Sequence, residues 1–159
     1  MTTPETNPEL NPESTATHNI QQAVPFLWVS DLDASLRFYL DGLSFTKTKE
    51  WIDNGKLRRC WLQREGAALM LQQYQPGQKP LGKLGEGVSI CFQCTDALAI
   101  YHTAIARGLQ PHRPSVGNAM WVVLFTDPDG YKLDFESPTD TPEDSIYDGS
   151  HLNGPAPQK

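Results

Sequence analysis

The residues with the best chemistry for proton transfer are two carboxylates and one histidine in the second half of the chain. Asp134 and Glu136 are two positions apart in a predicted strand and therefore share one face. His112 lies in a predicted loop or edge strand, where it can act as a general base if it overhangs that face. These three are the candidate catalytic residues. The alternatives are an ion pair of Asp134 with Lys132 or Arg59, and an exposed loop position for His112.

The cysteines make a weaker case for chemistry. Cys91 and Cys94 have the C-x-x-C spacing of redox pairs. In a straight strand, however, the two side chains point to opposite faces, which disfavours a bond between them. No second pair completes a zinc site, and three cysteines do not make a disulfide framework. We interpret Cys91 and Cys94 as buried structural residues and expect a cytoplasmic location.

Three tryptophans in predicted strands offer flat surfaces on which a planar ligand can stack. They are Trp28, Trp61 and Trp121. A tryptophan in a strand also packs in a core or a dimer interface, and that alternative stays open for each of them.

The elements that would position these side chains occur twice along the chain. Strands at residues 24–29 and 88–93 each lead, through Val29-Ser30-Asp31 or Cys94-Thr95-Asp96, into a helix capped by Ser30 or Thr95 and ended near Gly42 or Gly108. Three further strands follow in each half, at residues 45–51, 57–63 and 67–73, and then at 110–113, 119–125 and 131–136. The sequence predicts an α+β fold of two βαβββ modules whose curved mixed sheets surround a cleft.

Composition divides the chain into a folded body and two polar ends. Residues 1–22 and 138–159 are predicted to be flexible tails, and residues 23–137 a single domain made of module one (23–75), a linker (76–87) and module two (88–137). The net charge of −6 belongs to the tails, since the first carries three acids and the second four acids and one lysine. A neutral body without a basic stripe argues against a nucleic-acid partner. No apolar run is long enough to span a membrane.

Two segments, VSDLDASLRFY at residues 29–39 and FTDPDG at residues 125–130, resemble the vicinal oxygen chelate superfamily. This superfamily contains glyoxalase I, extradiol dioxygenases, fosfomycin-resistance enzymes and bleomycin-resistance proteins. The resemblance covers essentially the whole body and implies the fold predicted above.

Enzymes of this superfamily bind a divalent metal through His or Gln, Glu, His and Glu on the first and fourth strands of each module. The resemblance places these four positions at Val24, Met70, Ser89 and Asp134, of which only Asp134 is a hard ligand. A two-residue shift brings in Gln22, Gln72 or Glu136 but no histidine. We therefore expect no metal and no other cofactor, with a divalent metal on shifted ligands as the alternative.

The resemblance also makes the strand faces around these positions the lining of a ligand pocket. The predicted ligand-binding residues are the side chains on these faces together with the strand tryptophans: Phe26, Trp28, Trp61, Met70, Gln72, Ser89, Cys91, Gln93, Trp121 and Asp134. Trp28 is the best candidate among the tryptophans because it shares a strand face with Val24. The opening Ala23-Val24-Pro25-x-Leu27 looks like the bleomycin-resistance branch, whose members bind a drug without transforming it.

The resemblance therefore implies a metal-independent protein that sequesters a small organic ligand as a homodimer, in which facing modules from two chains often build each cleft. Because that branch uses an acidic cleft and this body is neutral, bleomycin itself is not the expected ligand. One alternative is an enzyme, either of the lyase, isomerase or dioxygenase type with displaced metal ligands, or a metal-free acid–base catalyst. A second is a non-catalytic protein that regulates a partner through its dimer surface or tails.

Overall fold

The computed structural model describes residues 19–149 and contains two four-stranded sheets that share one core. The first module consists of β1 (Phe26–Val29), α1 (Leu32–Leu36) continued by a π-helical segment (Arg37–Gly42), β2 (Thr46–Asp53), β3 (Lys56–Arg64) and β4 (Ala67–Gln73). The second consists of β5 (Ser89–Gln93), α2 (Ala97–Ala106), β6 (Ser115–Gly117), β7 (Met120–Thr126) and β8 (Lys132–Pro138).

The strand order repeats from one module to the next. The sheets have the orders β1-β4-β3-β2 and β5-β8-β7-β6, in which the first strand pairs in parallel with the last and all other pairs are antiparallel. The predicted α+β fold of two βαβββ modules is confirmed. No helix within residues 19–149 is long and apolar enough to cross a membrane.

Alternation along the strands gives each sheet a core face and an open face. In β4, Leu69 and Leu71 are fully buried whereas Met70 and Gln72 between and beside them are only half-buried. The other central strands follow the same alternation. The two core faces, with α1 and α2, form one hydrophobic cluster, so both modules depend on the same buried residues.

The helix starts differ by one residue from the prediction. The caps are Asp31 and Asp96, whose carboxylates accept hydrogen bonds from the backbone N–H three residues later at 3.0 and 2.9 Å. Ser30 instead donates its backbone N–H to the Asp129 carboxylate at 2.9 Å, which ties β1 to the second module. Both predicted helix ends are near the observed ones. Gly42 is the last residue of the π-helical segment. The Cβ of any other residue at this position would lie 2.6 Å from a Leu109 side-chain carbon, which is too close, so the close packing requires glycine.

The last predicted strand before β7 is also displaced. The sequence places it at residues 110–113, whereas β6 is Ser115–Gly117. Residues 110–113 contain an X-Pro step and Pro114 follows them, so the segment runs as an irregular connection with one backbone bond, from His112 N–H to Leu124 O at 3.1 Å.

The predicted C-terminal tail begins too early. Tyr147 is 3% exposed and packs against Trp121, with its hydroxyl 2.8 Å from His102 Nε2. The Glu143 carboxylate accepts the backbone N–H of Asn118 and of Ala119, at 3.0 and 2.6 Å, in the β6–β7 turn. Residues 139–149 therefore belong to the fold. Residues 19–22 of the predicted N-terminal tail are exposed and lie outside the helices and strands, and residues 1–18 and 150–159 lie outside the described residues.

A buried hydrogen bond joins the modules at the first helix. Tyr39, which is fully buried, donates its hydroxyl to Asp127 Oδ2 at 3.0 Å. Asp127 Oδ1 accepts the backbone N–H of Asp129 and of Tyr131, at 2.9 and 2.8 Å. Asp127 is thus more than the turn residue that its sequence context indicates, because its carboxylate links the turn before β8 to the helix of the other module.

This junction predicts a loss of stability in alkaline solution. Burial, with a contribution from Asp127, raises the pKa of Tyr39 well above 10.0, and burial raises the pKa of Cys60 to about 11 and of Tyr131 to about 12. The folded protein keeps these protons where the unfolded chain has released them. Their contribution to stability is therefore complete below about pH 9 and is lost as the pH rises through the folded-state pKa values.

We expect the free energy of unfolding to fall between about pH 8 and about pH 10.5, and to fall less steeply in Tyr39→Phe, because phenylalanine has no proton to release. Urea unfolding under reducing conditions at both pH values measures this. Equal pH dependence in the wild type and Tyr39→Phe would contradict the assignment to Tyr39.

Candidate ligand-binding site

The open face of the first sheet carries a cluster of aromatic side chains. We call it the aromatic face and define it by Phe26, Trp28, Trp51, Arg59, Trp61, Met70 and Gln72. Strand register brings these residues together, because Phe26 and Trp61 lie beside Met70, Trp28 lies beside Gln72, and Arg59 lies between Trp51 and Gln72. Residues opposite one another on neighbouring strands share a face.

The guanidinium of Arg59 organises the centre of the aromatic face. It lies 5.2 Å from the ring centroid of Phe26 and 4.9 Å from that of Trp51. Its Nε donates to Gln72 Oε1 at 2.6 Å. Arg59 is therefore fixed by two rings and one amide, while guanidinium nitrogens other than Nε remain to donate to a bound molecule.

A shallow groove of about 180 Å³ crosses the aromatic face. Trp61 lies in its floor, with Lys49 Nζ 5.1 Å from the Trp61 ring and the indole N–H donating to Gln63 Oε1 at 3.3 Å. Ligand pockets usually enclose about 300–1,000 Å³. The groove is therefore smaller than a typical ligand pocket, and a flat ring bound on it would be covered on one side only.

The open face of the second sheet is polar along β5 and β8 and apolar along β7, where Val122 lies beside Glu136 and Leu124 beside Asp134. We call the part along β5 and β8 the polar face and define it by Ser89, Cys91, Gln93, Lys132, Asp134 and Glu136, which neighbour one another across β5 and β8. Ser89 donates its hydroxyl to Asp134, so the partner of Asp134 is neither Lys132 nor Arg59. Gln93 Nε2 donates to Glu136 Oε2 at 2.8 Å. Two carboxylates and one lysine give this face a net negative charge.

The thiols of this region favour the protonated form. Partial burial of its sulfur and a hydrogen bond with Glu136 raise the pKa of Cys91, and burial raises the pKa of Cys94. A reactive cysteine needs the opposite shift. Cys91 is exposed on the polar face rather than buried as expected, and all three cysteines of the chain are free thiols.

Two of the predicted site residues lie elsewhere. Trp121 is 6% exposed and packs against Tyr147, because its strand neighbour in β8 is Ser137, on the core side. The structure therefore places Trp121 on the core face of β7 and not on the open face. His112 is exposed in the loop before β6, and no hydrogen bond or ion pair joins it to Asp134 or Glu136 within residues 19–149.

Sequence reasoning missed Trp51 and Arg59. Trp51 is 53% exposed and lies in β2, where shifts of register between Lys47 and Lys49 and between Trp51 and Ile52 interrupt the alternation of side chains. Arg59 is on the predicted face by simple alternation with Trp61. The spacing of two between them was the signal that could have identified it.

The aromatic and polar faces do not meet within one chain. No hydrogen bond, ion pair or ring contact joins them in the described part of the molecule, and the modules meet through core-side contacts such as Phe45 with Phe92. A cavity of about 580 Å³ lies between the β3–β4 turn and the start of α2. Of the predicted ligand-binding residues, only Cys91 and Gln93 line it.

The four positions that the resemblance assigns to a metal do not fit a divalent cation. They contain Val24, Met70, Ser89 and Asp134, and the only carboxylate among them is hydrogen-bonded to Ser89. Within residues 19–149 no three His, Cys, Asp or Glu side chains are close enough to one another to hold a metal ion. These four side chains therefore do not form a set of ligands for a divalent metal.

Comparison with known proteins gives a family match and several similar structures. A family model described as the Glyoxalase/Bleomycin resistance protein/Dioxygenase superfamily matches residues 19–135. A bleomycin-binding protein solved in complex with bleomycin is 25% identical, with a TM-score of 0.59 over 74% of this chain and 98% of that chain. A bleomycin resistance determinant encoded on the transposon Tn5 is 25% identical, with a TM-score of 0.60 over 75% of this chain and 98% of that chain.

More distant structures have the same fold. TioX from Micromonospora sp. ML1 is 16% identical, with a TM-score of 0.59 over 74% of this chain and 98% of that chain. No match was found among curated proteins.

Proposed function

The chain belongs to the Glyoxalase/Bleomycin resistance protein/Dioxygenase superfamily, and from this premise we propose that it binds a planar organic molecule and holds it without chemical change. The aromatic face supplies the platform on which a flat ring stacks. Relatives at 25% identity that bind or give resistance to bleomycin support a ligand of this kind.

The observation that carries the proposal is the exposure of large rings around one cation. Trp51 is 53% exposed and Phe26 is 38% exposed, and both lie against Arg59 instead of packing in the core. Clustered apolar surface of this kind usually marks a place where something binds. Aromatic rings and a guanidinium fixed in advance recognise a planar, polarisable molecule at little entropic cost.

We propose that a second copy of the chain completes the site. The groove on the aromatic face covers only one side of a flat ring, and the polar face is exposed on the other module. Lys49 and Arg59 outnumber Glu50 at the groove on the first face, whereas Asp134 and Glu136 outnumber Lys132 on the second, so the two faces attract one another across a homodimer. Asp134, Gln72 and Gln93 then orient the ligand, and the two carboxylates favour a cationic group on it.

This local charge modifies the expectation drawn from the neutral body. The balance over the whole body conceals an uneven distribution: the groove has a net positive charge from Lys49 and Arg59 against Glu50, and the polar face has a net negative charge. A planar molecule with a cationic group is therefore the ligand class that we propose, and bleomycin becomes a reasonable probe.

Metal independence is part of the proposal. Val24 has no donor atom, and Met70 and Ser89 are weak ligands for a divalent ion, so we propose that stacking and hydrogen bonding supply the affinity. A cytoplasmic location is also proposed, because all three cysteines are free and a reducing compartment keeps them so. Cell fractionation followed by detection with an antibody tests this location. Recovery of the protein outside the cytoplasmic fraction would contradict it.

The test is calorimetric titration of untagged protein with bleomycin and with ethidium, a small planar cation, in the presence and absence of EDTA. We expect saturable binding of at least one probe with the same affinity in both buffers, and a sedimentation mass of twice 17.7 kDa. Binding that disappears with EDTA, or stoichiometric metal that is lost in Asp134→Ala, would overturn the metal-independent proposal. A mass of 17.7 kDa in the ligand-bound protein would overturn the shared site.

A further inference from the structure

A second cavity, of about 410 Å³, lies at the end of the first sheet and shares no lining residue with the aromatic face. Its walls come from the start of β3, the end of β1 and the loop after β4, with Lys56, Arg58, Tyr74 and Lys79 as its most distinctive side chains. We propose that this cavity binds an oxyanion of the phosphate type, either free or carried by an organic molecule.

The charge of the cavity lining is entirely positive. Lys56, Arg58 and Lys79 line it and no acidic residue does. Lys56 and Lys79 form no ion pair within residues 19–149. Asp129, whose carboxylate binds Ser30 at the edge of the cavity, lines the neighbouring cavity instead. Arg58 lies in an ion pair with Asp53 at 3.9 Å, whereas the charges of Lys56 and Lys79 repel one another across the concave space, and an anion between them removes that repulsion.

The side chain of Arg58 gives independent support for a bound anion. Its Nε is buried and has no hydrogen-bond partner among the described residues, since Asp53 Oδ2 lies 3.9 Å away, beyond hydrogen-bond distance. A buried donor left without a partner is unfavourable, and such a group in a native protein points to a bound water or ion. A guanidinium is suited to hold a tetrahedral oxyanion through paired N–H groups.

The alternation of β3 directs Arg58 and Arg59 to different sides of the sheet, and the two surfaces adjoin at Tyr74, whose ring centroid lies 5.4 Å from that of Trp28. Arg58 lies on the core side of the strand, at the sheet end, and Arg59 lies on the open side beneath Trp51. Adjacent arginines therefore serve different surfaces. Part of the loop after β4, residues 74–77 and 79, contributes to the wall, so binding of an anion also fixes that loop.

The test is NMR titration of the full chain with inorganic phosphate, with sulfate and with phenyl phosphate, at constant ionic strength set by sodium chloride. We expect saturable shifts centred on Arg58 and Lys79, and an affinity for phosphate reduced about tenfold in Arg58→Gln. Lys79→Gln should also weaken binding and, being in an exposed loop, leaves the fold intact if Arg58→Gln does not fold. Lys83→Gln is the matched control, because Lys83 lies in the same loop but pairs with Glu86 at 3.6 Å.

Each outcome decides one question. Equal phosphate affinity in Lys79→Gln and Lys83→Gln, or shifts that do not saturate, would overturn the oxyanion site. Phenyl phosphate that binds more tightly than inorganic phosphate, and loses that affinity in Lys79→Gln, identifies an organic phosphate as the ligand class. Bleomycin and ethidium do not enter these titrations, so failure here leaves the proposal for the aromatic face unaffected.

Discussion

Asp127→Ala is expected to lower the free energy of unfolding by about 3 kcal/mol. The carboxylate of Asp127 is 4% exposed and accepts three hydrogen bonds, from Tyr39, Asp129 and Tyr131. Each buried donor left without an acceptor costs about 1–3 kcal/mol. Burial raises the pKa of Asp127, which shows that holding the carboxylate there is itself unfavourable. The expected loss is therefore well below the sum of the three bonds.

Urea unfolding at neutral pH measures this loss, and two variants control it. Asp140→Ala removes an exposed carboxylate and should change stability by less than about 0.5 kcal/mol. Asp127→Asn keeps an oxygen for the two backbone donors, so its loss should be about 1 kcal/mol. If Asp127→Ala were no less stable than Asp140→Ala, the hydrogen bond between the modules would not be a determinant of the fold.

Trp61→Ala is expected to weaken the binding of ethidium or bleomycin about tenfold, which corresponds to about 1.4 kcal/mol. The Trp61 ring forms the floor of the groove on the aromatic face, beside Met70 and under Lys49. Stacking of a flat ring on an aromatic side chain contributes about 1–3 kcal/mol. Calorimetric titration of the variant against the wild type gives the ratio of dissociation constants.

The controls separate stacking from folding. Trp61→Phe keeps a flat ring and should retain most of the affinity, whereas Ile105→Ala changes an exposed residue of α2 outside both faces and should retain all of it. Affinity unchanged in Trp61→Ala, with the variant folded by urea unfolding, would mean that the ligand does not use this groove.

The order of the strands and helices could be predicted because the same sequence pattern occurs in both halves of the chain. The phrases Val29-Ser30-Asp31 and Cys94-Thr95-Asp96 mark where each first strand ends, and strand alternation then assigns Phe26, Trp28, Met70 and Gln72 to one face. The turn at residues 127–130 would also have placed Trp121 on the core side, since pairing across it sets Leu124 beside Asp134. The sequence itself therefore contains the register that places Trp121 on the core side.

Other features depend on contacts that no local pattern encodes. The bulges of β2 interrupt the alternation of its side chains, so the sequence pattern does not show on which face of the sheet Trp51 lies. The C-terminal segment has the composition of a tail, yet one aromatic residue, Tyr147, fixes it to Trp121 and His102. The uneven distribution of charge between the aromatic and polar faces arises from sheet pairing, so a neutral sum over the body could not reveal it.

The four tryptophans of the chain allow one direct test of the central claim, that a planar ligand stacks on the aromatic face. Trp28, Trp51 and Trp61 lie on that face, and Trp121 lies in the core beside Tyr147 as an internal reference. The measurement is the indole N–H resonances of all four, assigned by single substitutions, during titration with bleomycin and with ethidium. We expect saturable shifts of the Trp28, Trp51 and Trp61 resonances, with the Trp121 resonance unchanged, for at least one probe. Three unmoved resonances with both probes, or a shift of Trp121 as large as theirs, would contradict the central claim.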